Sequence, residues 1–182
     1  MATARNTRAI RLRPACESDR ATVAGLLRAL GYEAGGGADL AALLRATLDR
    51  PDLALFLATD RDDPHGDALG LIGLSHRPQL QLGGTLVSID TLAVRADMRG
   101  WGVGRRLMRR ARAYARLHCA VRIEVHTTRA RENYRRGFYP ANGYEEANSA
   151  LFRYEIAHTP VSYDQPQEDT VPIGGDETRK GR

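Results

Sequence analysis

The stretch RADMRGWGVGRRLMRRA, residues 95 to 111, carries the strongest structural signal in the chain. It has glycine at three alternate positions, 100, 102 and 104, between a strand-like run and a run with helical spacing. Glycine weakens a helix interior, but a glycine-lined turn lets an anion reach the first backbone N–H groups of a helix, which have no internal partner. The stretch therefore predicts a strand, a turn and a helix whose amino end binds an anion such as pyrophosphate.

Runs with strand or helix periodicity lie on both sides of this stretch. Alternating or β-branched apolar runs predict strands, and apolar residues at helical spacing predict helices. We expect strands at 8–14, 52–60, 67–78, 83–95, 120–127 and 150–156, and helices at 16–31, 39–49, 102–118 and 130–139. The breaker-rich turn after residue 60 favours an antiparallel pair, whereas the helix at 102–118 is a crossover that makes its two flanking strands parallel neighbours.

The length and composition indicate one globular domain. At 182 residues the chain can bury about two-thirds of its unfolded surface, and its shares of hydrophobic and charged residues are ordinary. We expect a flexible segment at 1–7, a domain at 8–157 and a disordered tail at 158–182, where proline, glycine and acidic residues replace large apolar ones. The apolar runs are too short to cross a bilayer and the first residues lack a secretion signal, which predicts a cytoplasmic protein with no membrane partner.

Arginine is concentrated between residues 95 and 136, and the chain has a formal net charge of +5. Such a cluster predicts an anionic partner, either a phosphorylated small molecule or a nucleic acid. We favour no nucleic-acid partner, because the cluster lacks interleaved aromatic residues and a readable recognition helix. The cysteines and histidines have no metal-ligand spacing, so the sequence predicts no metal site.

Two blocks in the second half of the chain resemble the GNAT family of N-acetyltransferases. Residues 99–104 read RGWGVG and match the acetyl-CoA signature Arg/Gln-x-x-Gly-x-Gly/Ala, and residues 138–144 read FYPANGY and match a second family block. The opening RPACESDRATVAGLLRALGY, residues 13–32, is similar to a bacterial subgroup that includes aminoglycoside-type acetyltransferases.

The resemblance implies a mixed α+β fold. Its central, mostly antiparallel twisted sheet would have six to seven strands, include one parallel splayed pair, and be flanked by about four helices. It also implies acetyl-CoA as the acyl donor, no metal, and a small-molecule amine or protein amino group as acceptor. A homodimer is an oligomeric state open to such a protein. The loop at 31–37 would lie at the acceptor end.

The resemblance further implies which residues hold acetyl-CoA. The strand at 90–94 should splay from the strand at 121–126, which would leave backbone groups free to pair with the pantetheine arm. The expected contacts are Leu92, Ala93, Val94, Arg99, Gly100, Gly102, Val103, Gly104, Arg105 and Asn133. The asparagine that family members often carry seven residues before the tyrosine is here displaced by one position, because Glu132 stands at that place and Asn133 follows it.

Four residues are candidates for acid and base catalysis. In the family the tyrosine that matches Tyr139 protonates the departing thiolate, a transfer that is feasible between a phenol and a thiol without a large change in either pKa. A base is needed to deprotonate the attacking amine, and Asp90 and Glu124 are nearly equal candidates, with His126 as a third. With these residues in those roles, the resemblance implies an N-acetyltransferase, an acyltransferase that works by direct attack. The alternative is a non-catalytic acetyl-CoA-binding regulatory module.

Overall fold

Five β-strands form one sheet in the part of the chain that the computed structural model describes, residues 9–31, 39–63 and 67–154. They are β1 (Ile10–Pro14), β2 (Leu53–Asp60), β3 (Gly70–Gln79), β4 (Gly84–Val94) and β5 (Ala120–Val125). The strands follow one another across the sheet in chain order. The segments expected to be flexible or disordered at 1–7 and 158–182, and residues 32–37 of the acceptor loop, lie outside the described residues.

All neighbouring strands are antiparallel except the last pair. The hairpin between β2 and β3 and the parallel pairing of β4 with β5 confirm the two predicted connections. The helices are α1 (Arg20–Ala29), α2 (Leu40–Leu48), α3 (Val103–Leu117) and α4 (Glu132–Arg135), with 3₁₀ turns at Glu17–Asp19, Leu80–Leu82, Ala96–Met98 and Pro140–Asn142. The mixed α+β class with a parallel pair and four helices is thus confirmed. Within these ranges no helix is both long and apolar enough to span a bilayer.

The prediction of six to seven strands was too high for the described ranges. Residues 150–154 of the expected last strand belong to no strand, and 155–156 fall outside the description. Leu151, Phe152 and Tyr154 are strongly exposed, and strand propensity without a packed partner does not suffice to form a strand.

The helix expected at 130–139 is also much shorter than predicted. It ends at Arg135, because Gly137 takes a left-handed conformation with φ of +64° and its N–H bonds to the Tyr134 carbonyl. A left-handed glycine is a common way for a helix to end.

The two faces of the sheet carry separate cores. α3 covers one face, where Leu107, Met108 and Ala111 are fully buried against side chains of β3 and β4. α1 covers part of the other face with Val23 and Leu26. Since α3 follows the glycine-rich turn directly, its packing against β3 and β4 holds that turn at one end of the sheet.

A partly buried ion pair joins β1 to the start of α1. Both oxygens of the Asp19 carboxylate accept hydrogen bonds of 2.7 Å from the Arg13 guanidinium, and one of them also accepts the backbone N–H of Cys16. The Arg13 hydrogen bonds outweigh the desolvation of Asp19 and lower the pKa of its carboxyl to about 2. Asp19 is the N-cap residue of α1, but its side chain makes no capping hydrogen bond to that helix.

We expect Asp19→Asn to lower the free energy of unfolding at pH 7 by about 2 kcal/mol, the equivalent of the lowered pKa. Because the folded pKa lies below the unfolded one, this stabilisation is complete above about pH 4 and is lost as the pH falls toward 2. Urea unfolding of both proteins between pH 7 and pH 2 measures the difference.

Glu17→Gln is the matched control, since Glu17 and Arg45 form an ion pair whose side chains are both more than half exposed. We expect this change to alter stability by less than about 1 kcal/mol. A pH-independent difference between Asp19→Asn and the original protein would contradict the assignment.

Candidate active site: the cleft where β4 leaves β5

β4 separates from β5 halfway along its length. The parallel pairing ends at Ile89 and Val125, and β4 continues to Val94 paired with β3 alone among the described residues. Asp90 is the extra residue of a β-bulge, because Thr91 pairs with Gly73 while Ile89 pairs with Leu74. A bulge bends its strand. This opening is the splay that was predicted for the parallel pair.

The open edge of β4 presents backbone polar groups to the cleft. The Arg95 N–H donates to the Leu69 carbonyl at 3.0 Å, so Arg95 bonds toward β3. Polar backbone groups alternate in direction along a strand. Ala93 therefore also bonds toward β3, whereas Leu92 and Val94 direct their N–H and C=O groups into the cleft. Of the three residues predicted as contacts on this strand, two direct backbone groups into the cleft.

The turn before α3 leaves helix N–H groups free at the end of the same cleft. Gly100 and Gly102 have φ values of +80° and +85°, and Gly102 is the N-cap residue of α3. The first intrahelical bond runs from the Arg106 N–H to the Gly102 carbonyl. The N–H groups of Val103, Gly104 and Arg105 precede it, and they carry the positive end of the helix dipole.

A cavity of about 210 Å³ lies against this turn. Its walls combine the edge of β4, the glycine turn and α4, through residues that include Leu92, Val94, Arg99, Gly100, Gly104 and Arg136. Glu132 lies between two of the cations: its carboxylate is 3.0 Å from Arg99 and 3.4 Å from Arg136. The protein thus places its own carboxylate next to the predicted anion site.

A second cavity, of about 300 Å³, continues the cleft toward β5. It shares Leu30, Leu92, Arg131 and Asn133 with the first cavity, so the two form one groove. Its other walls come from the end of α1, from Ile89 to Thr91 of β4, from Val125 to Thr127, and from Tyr139.

Tyr139 is held firmly at this second cavity. Its ring is packed in the core on the α3 side with 8% of the residue exposed, edge-on to Phe138. Its carbonyl accepts the N–H groups of Asn142 and Tyr144. Its hydroxyl accepts a hydrogen bond of 3.1 Å from the Asn133 side-chain amide.

Asp90 lines the same cavity. Its side chain reaches solvent in the groove, but the surrounding protein removes part of its hydration, which raises the pKa of the carboxyl. A hydrogen bond with Ser75 and the charges of Arg77 and His126 oppose that effect. A raised pKa makes a carboxylate a stronger base.

Glu124 lies on the same face of the sheet as Asp90 but outside the walls of both cavities. Its neighbours Ile123 and Val125 pack against the α3 core, so Glu124 points to the opposite face, which Ser75 shares. Its carboxylate is 3.5 Å from Arg122.

Several residues of the groove were not selected from the sequence, among them Thr127, Arg131, Glu132 and Arg136. Arg131, Glu132 and Arg136 belong to the arginine-rich region, where nothing in the sequence separates them from solvated charges. Thr127 lies just after β5, and its hydroxyl is buried and has no hydrogen-bond partner among the described residues.

Within residues 9–31, 39–63 and 67–154 there is no group of three metal-ligating side chains that could hold an ion.

Comparison with known proteins identifies the family. The model of the acetyltransferase (GNAT) family matches residues 22–144, more than half of the chain. No curated protein matches the chain.

Several solved structures share the fold. A transcriptional regulator from Bacillus halodurans C-125 has a TM-score of 0.70 at 17% identity, over 81% of this chain and 100% of its own. A ribosomal-protein-alanine N-acetyltransferase from Brucella melitensis biovar Abortus 2308 has a TM-score of 0.64 at 16% identity, over 82% and 100%. An aminoglycoside acetyltransferase from an uncultured soil metagenomic sample, in complex with sisomicin, has a TM-score of 0.67 at 16% identity, over 81% and 97%. With the family model covering the β4 edge, the glycine turn and Tyr139, the chain belongs to the acetyltransferase (GNAT) family.

Proposed function

We propose that the protein transfers an acetyl group from acetyl-CoA to a primary amine of a small molecule or a protein, by direct attack of the amine on the thioester. The observation that carries the proposal is the groove itself. One continuous cleft joins a free strand edge, the amino end of α3, a carboxylate with a raised pKa and a buried tyrosine.

Acetyl-CoA would lie along the groove from the glycine turn to Tyr139. Its amide-rich pantetheine arm would pair with the backbone of Leu92 and Val94, with Ala93 between them, like an added strand. Its pyrophosphate would accept hydrogen bonds from the N–H groups between Gly100 and Arg105, which include those of Gly102, Val103 and Gly104, and Arg99 would add charge. Asn133, which lines both cavities, would lie beside the arm.

Glu132→Gln is expected to lower the KM for acetyl-CoA by about threefold. The Glu132 carboxylate neutralises Arg99 and Arg136, and an anionic ligand must compete with it. The effect is small because exposed ion pairs contribute about 0.2 to 1 kcal/mol. Steady-state kinetics at low salt measures it, since low salt preserves interactions between exposed charges.

Glu146→Gln is the control for that change. Glu146 also pairs with an arginine, Arg129, at 2.7 Å but lines neither cavity. We expect an unchanged KM in this variant. A raised KM in Glu132→Gln would mean that Glu132 orients Arg99 for binding instead of competing with the ligand.

The base that deprotonates the acceptor amine is Asp90 in this proposal. A protonated amine has no lone pair with which to attack, and Asp90 lines the cavity while Glu124 does not. Glu124, on the same face of the sheet, is the second candidate, and its role would be exerted through water. His126 also lines the cavity and stays a third candidate.

Tyr139 is the proposed acid. The amine nitrogen forms a bond to the thioester carbonyl carbon, the bond from that carbon to sulfur breaks, and the thiolate takes the Tyr139 proton. A tyrosine next to the sulfur would supply this proton without contact with bulk water, because the residue is buried. Positioned general acids contribute about 10²- to 10⁴-fold in rate.

The acceptor would enter from the side of α1, whose Leu27 and Leu30 line the cavity with Asp90. Two of the proteins with similar structures are an aminoglycoside acetyltransferase and a ribosomal-protein-alanine N-acetyltransferase. These names support an amine acceptor of either small-molecule or protein type.

The cytoplasmic location and the homodimer stay predictions. Cys16 and Cys119 are exposed and form no disulfide, which suits a reducing compartment.

An assay of thiol release from acetyl-CoA tests the proposal. The panel of acceptors should include aminoglycosides, polyamines, amino acids and peptides, and we expect release with at least one class of amine. Tight acetyl-CoA binding without release for any amine would instead favour the non-catalytic module. A stable acetylated enzyme formed from acetyl-CoA alone would contradict direct attack.

A further inference from the structure

We propose that Asn133 is a positioning residue for Tyr139: its side-chain amide orients the tyrosine O–H so that the proton points into the cavity. This inference rests on the proposed function, in which Tyr139 is the acid. It adds a reason why the tyrosine proton is available to the sulfur and not engaged elsewhere.

The orientation of the Asn133 amide follows from its two contacts. Its Oδ1 accepts the backbone N–H of Tyr134 at 2.9 Å. Its Nδ2 therefore faces the Tyr139 hydroxyl, at 3.1 Å. An amide nitrogen can only donate, whereas a tyrosine hydroxyl can donate one hydrogen bond and also accept. The Tyr139 oxygen must act as the acceptor in this contact, so its own hydrogen points away from Asn133.

The surroundings of Tyr139 leave one polar direction for that hydrogen. The ring lies in the apolar core on the α3 side, next to Phe138, while the residue also lines the cavity of about 300 Å³. Among the described residues, Asn133 is the one hydrogen-bond partner of the hydroxyl. The hydrogen is therefore directed toward the groove, where the proposed thioester would lie.

The early end of α4, at Arg135, makes the contact between Asn133 and Tyr139 feasible. In a continuous helix two residues six positions apart are rotated by about 240° and face different sides. Here Gly137 turns the chain in the left-handed conformation, and the Phe138 N–H bonds back to the Asn133 carbonyl at 3.0 Å. The same turn brings Tyr139 under the Asn133 side chain. A helix that continued to Tyr139 would keep the two side chains apart, so the left-handed turn at Gly137 allows their contact.

A double-mutant cycle between Asn133→Ala and Tyr139→Phe tests the inference. We expect Asn133→Ala to lower kcat by about tenfold while the KM for acetyl-CoA changes less than about threefold, and to have no further effect in a Tyr139→Phe background. Asn133→Asp should lower kcat at least as much, because a carboxylate can only accept and would take the tyrosine hydrogen bond for itself.

Asn142→Ala controls for a loss of loop stability. Its side-chain amide also donates within this loop, to the Phe138 carbonyl at 2.7 Å, without contact to the Tyr139 hydroxyl. Thermal unfolding should report a loss of stability in Asn142→Ala comparable with that of Asn133→Ala, and kcat should fall only in the latter. Equal loss of kcat in both variants would overturn the inference.

The remaining outcomes separate the inference from the proposed function. If Tyr139→Phe loses activity while Asn133→Ala keeps the original kcat, the positioning role is wrong and the acid role of Tyr139 survives. If the two substitutions are additive and Asn133→Ala acts mainly on the KM for acetyl-CoA, Asn133 binds the cofactor and does not position Tyr139. If Tyr139→Phe keeps full kcat, the acid role and the positioning role fail together.

Discussion

Replacing Tyr139 with phenylalanine is expected to lower kcat by about 100-fold, with the KM for acetyl-CoA changed less than about threefold. The phenylalanine ring keeps the contacts with Phe138 and the α3 core, so the groove keeps its shape. Only the proton donor is removed, and a thiolate then leaves unprotonated or must take its proton from water. Steady-state kinetics at saturating acceptor measures the loss, with calorimetry of acetyl-CoA binding to show that affinity is retained.

Tyr134→Phe is the matched control. Tyr134 lies five positions earlier, and its hydroxyl donates to Glu146 at 2.7 Å outside both cavities. Removing that hydroxyl should leave kcat unchanged. Turnover by Tyr139→Phe at the rate of the original protein would end the assignment of Tyr139 as the acid and would require another donor in the groove.

The glycine turn at one end of the groove could be predicted from the sequence, because the conformation of such a turn depends on a few neighbouring residues. A glycine needed for a positive φ, and a helix whose first N–H groups lack partners, both leave a signature within a few residues. The sequence predicted a glycine-lined turn here, and Gly100 and Gly102 have left-handed conformations in it. The crossover from β4 to β5 likewise follows from the order strand, helix, strand.

Which of the two carboxylates lines the cavity could not be predicted, because it depends on contacts between distant segments. Asp90 and Glu124 are both carboxylates within strands, and nothing in their immediate sequence separates them. The bulge at Asp90, the Ser75 hydrogen bond and the end of α1 direct Asp90 into the cavity. Glu124 instead lies near Arg122.

The contact between Asn133 and Tyr139 could not be predicted from the sequence either. Counted along an uninterrupted helix, the asparagine stands one residue away from the expected place. The left-handed turn at Gly137 changes the path of the chain between Asn133 and Tyr139 and brings the two side chains together. A sequence pattern counts residues, whereas the contact depends on the backbone conformation between them.

Gly104→Val is expected to raise the Kd for acetyl-CoA by more than about tenfold and to lower kcat/KM by more than about 100-fold. Gly104 lies in the first turn of α3 and lines the cavity at the glycine turn. A Cβ at this position would be 3.0 Å from two atoms of the Phe138 ring. The two further methyl groups of valine would add to that overlap, because a packed core accommodates extra volume poorly.

The displaced Phe138 ring explains why the effect would reach both ends of the groove. Phe138 lines the cavity at the glycine turn and packs edge-on against Tyr139, with 5.4 Å between the ring centroids. A shift of Phe138 away from residue 104 would therefore narrow the cavity proposed for the cofactor and displace Tyr139, the proposed acid. Isothermal titration calorimetry with acetyl-CoA measures the first effect and thiol release measures the second.

Gly25→Val separates this steric effect from the general consequence of valine in a helix. Gly25 lies inside α1, and a Cβ there would have no atom within 4 Å. Valine also has a higher helix propensity than glycine, so the control should fold at least as well as the original protein and bind acetyl-CoA normally. If Gly104→Val also binds acetyl-CoA with the original Kd while Phe138 has moved, the cofactor does not lie against the amino end of α3. The backbone N–H groups of the glycine turn would then bind a ligand other than acetyl-CoA.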